Sequence, residues 1–190
     1  MELSREKNRA FVTYAVSLHF SQDVNEIISD AVSTIAGMTG DDFIIQNKVP
    51  PHVTIGAFHG MKENEERLMQ IVEAFSNTQR SGVVRFTELG SFNGKVLFLK
   101  PEKDAYLSEI NKALHNVMLP EFEKGENGYY LPEVWVPHAT LATRLHQSQL
   151  DTAMEIAGKI SLPLEAAISN IGVYQCAPFL ELKRFPVAMH

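Results

Sequence analysis

The sequence predicts an α+β fold built as two lobes, on three observations. Segments with strand-like alternation and segments with helical apolar spacing follow one another as strand, helix, strand, helix, strand, and this order recurs loosely in the second half. A tetrapeptide of one pattern, Pro-His-x-Thr, stands in a strand-like stretch of each half, as Pro51-His52-Val53-Thr54 and Pro137-His138-Ala139-Thr140. No Pro- or Ser-rich linker divides the 190 residues, so residues 1–190 read as a single domain, with sheets facing each other across a cleft and helices outside.

Residues 9–20 form the opening strand. Basic residues precede its apolar part, but Thr13, Tyr14, Ser17 and His19 interrupt the run and no cleavage site follows, which argues for a buried strand and against a signal sequence. Residues 21–38 carry Val24, Ile27, Ile28, Ala31, Val32 and Ile35 at helical spacing and stop at Gly37 and Gly40. The first motif lies in a strand over 49–59. An amphipathic helix over 62–77 follows, with Leu68, Ile71, Val72 and Phe75 on its dry side and Glu63, Glu65, Glu66 and Glu73 on its wet one. Strands at 82–89 and 95–100 meet at Asn93-Gly94, a hairpin-type turn. Leu107, Ile110, Ala113, Leu114 and Val117 stripe a helix over 104–117, ended by Pro120, and Gly125-Glu126-Asn127-Gly128 marks a loop. The second motif strand spans 134–145, a helix 147–159, and strands at 168–175 and 179–186 close the chain.

Composition narrows the function. A hydrophobic fraction of 45% and a charged fraction of 21% describe an ordinary globular protein with no run apolar enough for a membrane span. The lone Cys176 allows neither an internal disulfide nor a thiolate metal cluster, and a cytoplasmic setting is expected. A net charge of −6 disfavours a broad grip on long nucleic acid but leaves room for a small phosphate ester or a short RNA end. No Gly-x-x-x-x-Gly-Lys-Ser/Thr loop supports ATP-dependent ligation. Nothing implies a cofactor, and a monomer is expected, because one chain carries both motifs.

Alternation along a strand puts His52 and Thr54 on one face, and likewise His138 and Thr140. Val53, Ile55 and Ala57, with Trp135, Ala139 and Leu141, then face the core. Gly56 and Ala142 follow on the polar face and leave space beside the threonines. A zinc site would need a third or fourth convergent ligand that no local spacing supplies, so a metal-independent site is expected. Histidine-triad nucleotidyl transfer needs histidines at alternate positions of one strand, where this chain has Thr54 and Thr140.

The paired motifs resemble the 2H phosphoesterase superfamily, which includes the RNA 2′,3′-cyclic phosphodiesterases and 2′-5′ RNA ligase-like proteins. The resemblance extends to the opening strand, to Gly90-Ser91-Phe92 running into Val96-Leu97-Phe98-Leu99, and to the closing pair of strands. It implies two pseudo-symmetric antiparallel sheets lining a central cleft where the two motifs meet. It also implies hydrolysis of a 2′,3′-cyclic phosphate or a 2′-5′ diester, or the reverse joining of RNA ends; ADP-ribose 1″,2″-cyclic phosphate is another substrate of the right chemistry. In-line displacement at phosphorus needs one group to take a proton and another to give one, and imidazole suits both roles near neutrality. The resemblance gives water activation to His138 and protonation of the leaving oxygen to His52; by residue type the two are interchangeable. Thr54 and Thr140 would donate to the non-bridging oxygens. Candidates for shaping substrate choice are Tyr14, Phe92 and Tyr174 as stacking aromatics, and Lys48, Lys95 and Arg144 as phosphate-facing cations. A cleft that binds RNA ends or cyclic nucleotides without turning them over is the alternative.

Overall fold

The computed structural model describes residues 10–188, so the expected start of the first strand at Arg9 lies outside the described residues. In chain order the elements are β1 (Phe11–Phe20), α1 (Gln22–Thr39), α2 (Phe43–Gln46), β2 (Val53–Met61), α3 (Glu65–Thr78), β3 (Val83–Phe92), β4 (Val96–Pro101), α4 (Ala105–Met118), β5 (Glu123–Lys124), β6 (Ala139–Ala142), α5 (Gln147–Ala157), β7 (Leu164–Gln175) and β8 (Leu180–Pro186). The class is α+β. None of the described helices is long and apolar enough to cross a membrane.

The two lobes share a strand. The eight strands run in the order β5-β2-β1-β7-β3-β4-β6, with β8 also on β7, and each pairing is antiparallel. The first four residues of β7 pair with β3, and its remainder pairs with β1 and β8. One lobe is therefore β5-β2-β1-β7-β8 and the other β7-β3-β4-β6, joined through one continuous backbone.

Helices cover the outer faces by crossing over. Helix α1 follows β1 but packs on β6 and α5 of the other lobe, whereas α4 follows β4 and packs on β2. Most of the stripes that predicted these helices are buried, Val24, Ile28, Ala31, Val32 and Ile35 on α1 and Leu107, Ile110 and Leu114 on α4, where Met118 joins them; Ile27 and Val117, at the stripe edges, are exposed. Gly40, in the left-handed region at φ 78°, ends α1 by donating its N–H to Ala36. The Asp104 carboxylate accepts from Leu107 N–H and starts α4.

The motif strands depart from the expected alternation. Ser17 pairs with Thr54 but Val16 with Gly56, so Ile55 is an extra residue in β2. Phe98 pairs with Thr140 but Leu97 with Ala142, so Leu141 is an extra residue in β6. Each motif threonine is thus followed by a β-bulge, which reverses the facing of what comes after. Gly56 does not lie beside Thr54 on the cleft face: a Cβ there would meet the Phe58 ring at 2.7 Å and Leu114 of α4 at 2.8 Å. Ala142, opposite the buried Leu97, turns inward in the same way. Both expected open spaces are corrected by one physical cause.

A bulge frees main-chain groups from the ladder, and this one is tied down. Asn111 of α4, itself buried, donates from Nδ2 to the Ile55 carbonyl at 2.7 Å and to the Tyr130 carbonyl at 2.9 Å. Replacing Asn111 with Leu leaves two carbonyls without that donor and is expected to cost about 2–4 kcal/mol of stability. Urea unfolding of the variant against the parent measures it.

Candidate active site

His52 and His138 each lie just before a strand and not within one, since β2 begins at Val53 and β6 at Ala139. Their local geometry is the same. His52 Nδ1 is 2.7 Å from the Pro50 carbonyl and His138 Nδ1 is 2.8 Å from the Val136 carbonyl, in each case two residues back. A carbonyl only accepts, so Nδ1 carries the proton in both rings and Nε2 is left free to take or give one.

Burial holds both imidazoles below the ordinary histidine range. For His52 desolvation is the largest cause, opposed by the Pro50 hydrogen bond and reinforced by His138 and by the Arg184 cation. For His138 desolvation outweighs the bond to Val136. That the two histidines influence each other's neighbourhood follows from the fold: Trp135, three residues before His138 and 2% exposed, donates from Nε1 to the Thr54 carbonyl at 3.1 Å. Thr140 and His52 then border one cavity of about 270 Å³, walled by Ile28 and Val32 of α1, Phe43 of α2, and Lys48.

Around the first motif the cleft face is polar and connected. Thr54 Oγ1 is 3.1 Å from Ser17 Oγ, and Tyr130, its phenol pushed up to about 12 by burial, stands beside the same hydroxyl. Next to Ser17 on that face, His19 donates from Nδ1 to the Pro51 carbonyl at 3.2 Å. His19 Nε2 lies 2.8 Å from the Tyr174 hydroxyl, which is also 3.1 Å from Glu181. One phenolic proton cannot serve both. Burial, with the charges of His52 and Arg184, lowers His19 well below its usual range, so its Nε2 accepts the hydrogen bond that the Tyr174 hydroxyl donates. Glu181 is held instead by Arg184, through Nε at 2.9 Å and Nη2 at 2.8 Å. Gly172 makes the arrangement fit, because a Cβ there would stand 2.5 Å from His19 Nε2 and 2.8 Å from the Tyr174 ring. Gly90 does the same for Phe98, whose ring packs 5.3 Å from His138.

The residues expected from sequence separate into groups. His52 and Thr140 line one cavity, His138 is near enough for its charge to act on His52, and Thr54 is tied through its carbonyl to Trp135 of the second-motif segment. Phe92, half-buried, meets His138 edge-on with ring centres 5.1 Å apart. Lys48, at φ 52°, lines the cavity. Arg144 lies over the cavity-lining Phe43 at 4.0 Å, its main-chain N–H held by Asp41, so its charge is spent on a ring at the rim. Three expectations need correction. Tyr14 is fully buried, donates to Glu65 at 3.1 Å, and points to the helix side of β1, opposite Ser17 and His19. Tyr174 stacks on His52 at 6.3 Å and on Phe179 at 5.2 Å and is only 2% exposed, so it supports the site and offers no face to a base. Lys95 is exposed on the β3–β4 turn, bonded through its carbonyl to Leu145 and through its N–H to Phe92, so the turn holds its main chain and leaves its side chain in solvent. Sequence reasoning missed Ser17, His19, Tyr130 and Arg184. For Ser17 and His19 the signal was there: polar residues at alternate positions of an otherwise apolar strand.

Two imidazoles with free Nε2 atoms beside two threonines form a site for acid–base work on an anion. Residues 29–176 match the family model of the 2′-5′ RNA ligase superfamily, of the 2H phosphoesterases, and the chain belongs to that family of phosphodiesterase and RNA ligase-like proteins. Among solved structures it is similar to Escherichia coli LigT in complex with 3′-AMP, at 13% identity over 94% of this chain and 99% of that one, with a TM-score of 0.58. TT0787 of Thermus thermophilus aligns at 15% identity over 94% and 99% with a TM-score of 0.57, and Usb1 of Kluyveromyces marxianus at 10% over 96% and 100% with a TM-score of 0.50. At these identities the likeness is one of fold. No curated protein sequence matches the chain.

The geometry sets a titration. Long-range ¹H–¹⁵N spectra are expected to show the Nδ1–H tautomer for His52 and His138, with both midpoints below the reference value of about 6.5. Because the native groups bind protons less readily than their unfolded counterparts, stability is full above about pH 6.5 and declines as pH falls below it. Urea unfolding at successive pH values checks the sign.

Proposed function

We propose that the chain is a metal-independent phosphodiesterase that hydrolyses a 2′,3′-cyclic phosphate or a related 2′-5′ diester by acid–base catalysis between His52 and His138. The observation that carries this reading is the matched pair of carbonyl bonds, which fixes the same tautomer in both rings and leaves each with one free nitrogen. Among the described residues no three His, Cys, Asp or Glu side chains gather as metal ligands, and the groups beside the histidines are hydroxyls and carbonyls, poor partners for zinc. LigT, of the same fold, has been crystallised with ATP, 3′-AMP and NADP+, ligands of nucleotide chemistry.

The step balances without a covalent intermediate. Neutral His138 takes a proton from water at Nε2 as the water oxygen bonds to phosphorus. His52, protonated at Nε2, gives its proton to the ribose oxygen as that P–O bond breaks. The product is a phosphomonoester, and the pair ends with its one proton on the other ring, to be reset through solvent. When the attacking group is the 5′-hydroxyl of a second RNA end in place of water, His138 takes the hydroxyl proton as the new P–O bond forms and His52 protonates the departing 3′ oxygen, which joins the ends through a 2′-5′ diester. Thr54 and Thr140 donate to the non-bridging oxygens, where charge accumulates.

Turnover of nucleoside 2′,3′-cyclic phosphates and 2′-5′-linked dinucleotides tests the reading. His52→Ala and His138→Ala are each expected to lower kcat by about 10²- to 10⁴-fold with the fold retained; binding without hydrolysis by the parent protein would make the cleft a sensor. The active free enzyme carries one proton on the pair, and both groups are depressed. kcat/KM is therefore expected to fall as pH rises past a value below about 6.5. The corresponding limb of kcat lies at higher pH, because the bound anion favours imidazolium.

A further inference from the structure

Arg184 has no role in the chemistry above, yet its placement is specific. Along β8, Lys183 lies over Phe185 and reaches Glu73 of α3 at 3.7 Å, on the helix side. Arg184 therefore faces the cleft. Register puts it in one row across four strands: Thr54 of β2, Ser17 of β1, Gly172 of β7, Arg184 of β8. Three strand spacings separate the ends of that row, roughly 14 Å between main chains. The Arg184 side chain closes part of this gap, since it lies beside the Tyr174 hydroxyl and its charge is felt at both His19 and His52. The guanidinium thus stands about one nucleotide step from where the motif threonines would hold the scissile phosphate.

It is also oriented. Glu181 takes the Nε and Nη2 edge, which turns the Nη1 edge away from the carboxylate, and the side chain is 33% exposed. A guanidinium clamped on one edge by Glu181, hydrogen-bonded to the Tyr174 hydroxyl and still one-third exposed is prearranged for an anion. The ion pair alone does not account for it, because a pair this exposed contributes only about 0–1 kcal/mol. Of the cations expected to face phosphate, Arg144 is on Phe43, Lys95 is exposed on the β3–β4 turn and Lys48 lines the cavity beside His52.

We infer that Arg184 forms a second anion subsite, which takes a phosphate carried by the substrate one step from the scissile one. This rests on the reading of the cleft as a phosphodiesterase site and narrows its substrate: a nucleotide or RNA end that bears a 5′-phosphate besides the cyclic or 2′-5′ ester, in preference to a nucleoside cyclic monophosphate.

Product-type nucleotides read the subsite without turnover. By calorimetry, adenosine 2′,5′-bisphosphate is expected to bind the parent protein about 10- to 100-fold more tightly than adenosine 2′-monophosphate. Arg184→Gln is expected to reduce that advantage to within about threefold and Arg184→Lys to keep part of it. Equal binding of the two nucleotides by the parent, or an advantage that survives Arg184→Gln, overturns the inference and leaves the phosphodiesterase reading intact. Absence of hydrolysis with the bisphosphate advantage present overturns only the latter. Binding of neither nucleotide counts against both. Should Arg184→Gln melt early, the parent comparison and Arg184→Lys still decide.

Discussion

The hydrogen bond from the Trp135 indole to the Thr54 carbonyl is the constraint on which the site depends. Two imidazoles act on one phosphorus only if their main chains are held at a fixed separation, and these histidines come from motifs far apart in sequence. Trp135 belongs to the segment that delivers His138 and is buried against the strand that carries the first motif. The acceptor is the carbonyl of Thr54, and the next carbonyl along, that of Ile55, is taken by Asn111. Both carbonyls belong to residues at the bulge in β2. The irregularity that aims the motif thus also supplies the attachment points that locate the second motif, so aim and separation are set together.

The same economy appears in the larger architecture. Because β7 runs through both lobes and α1 and α4 each cover the lobe they do not follow, the cleft has no flexible joint between independently packed halves. Preorganised donors need no rearrangement as charge develops, and a shared strand provides that rigidity through main-chain hydrogen bonds. Pseudo-symmetry reaches the details: a bulge after each threonine, a carbonyl two residues back for each Nδ1, and a glycine that admits a ring near each histidine.

Much of this was legible in the sequence, and the illegible part has physical causes. The stripes of α1, α3 and α4 and the tetrapeptides around His52 and His138 announced themselves, because helical burial and a repeated motif both leave periodic marks. Alternation assumes a constant register, however, and one extra residue at Ile55 or Leu141 is invisible to it; hence the misplacement of Gly56 and Ala142. Residues 134–138 read as strand because Val134, Trp135 and Val136 favour extended backbone, but they make no ladder, and Trp135 is spent on a bond to the other lobe. Aromatic character favours Tyr14 over Ser17 and His19 as the cleft residue of β1, whereas strand parity puts Tyr14 on the opposite face, against Glu65. Arg184 sits beside Lys183 and three residues after Glu181, a charged run that reads as a wet edge strand until register puts Lys183 and Arg184 on opposite faces.

Electrostatics complete the picture. A site in a chain of net charge −6 cannot draw an anion by overall field, and burial lowers the proton affinity of its two histidines. The empty pair is therefore short of the proton that acid catalysis needs. An arriving phosphate lends negative charge to a poorly solvated place, which raises the proton affinity of the nearest imidazole, while the mutual repulsion of His52 and His138 disfavours a second proton. The ligand that requires one acid and one base thus brings about that protonation state, and an anion is the only visitor that does so. Under the proposed phosphodiesterase reading, selectivity for phosphate esters begins with the charge state of His52 and His138, before any contact to base or sugar.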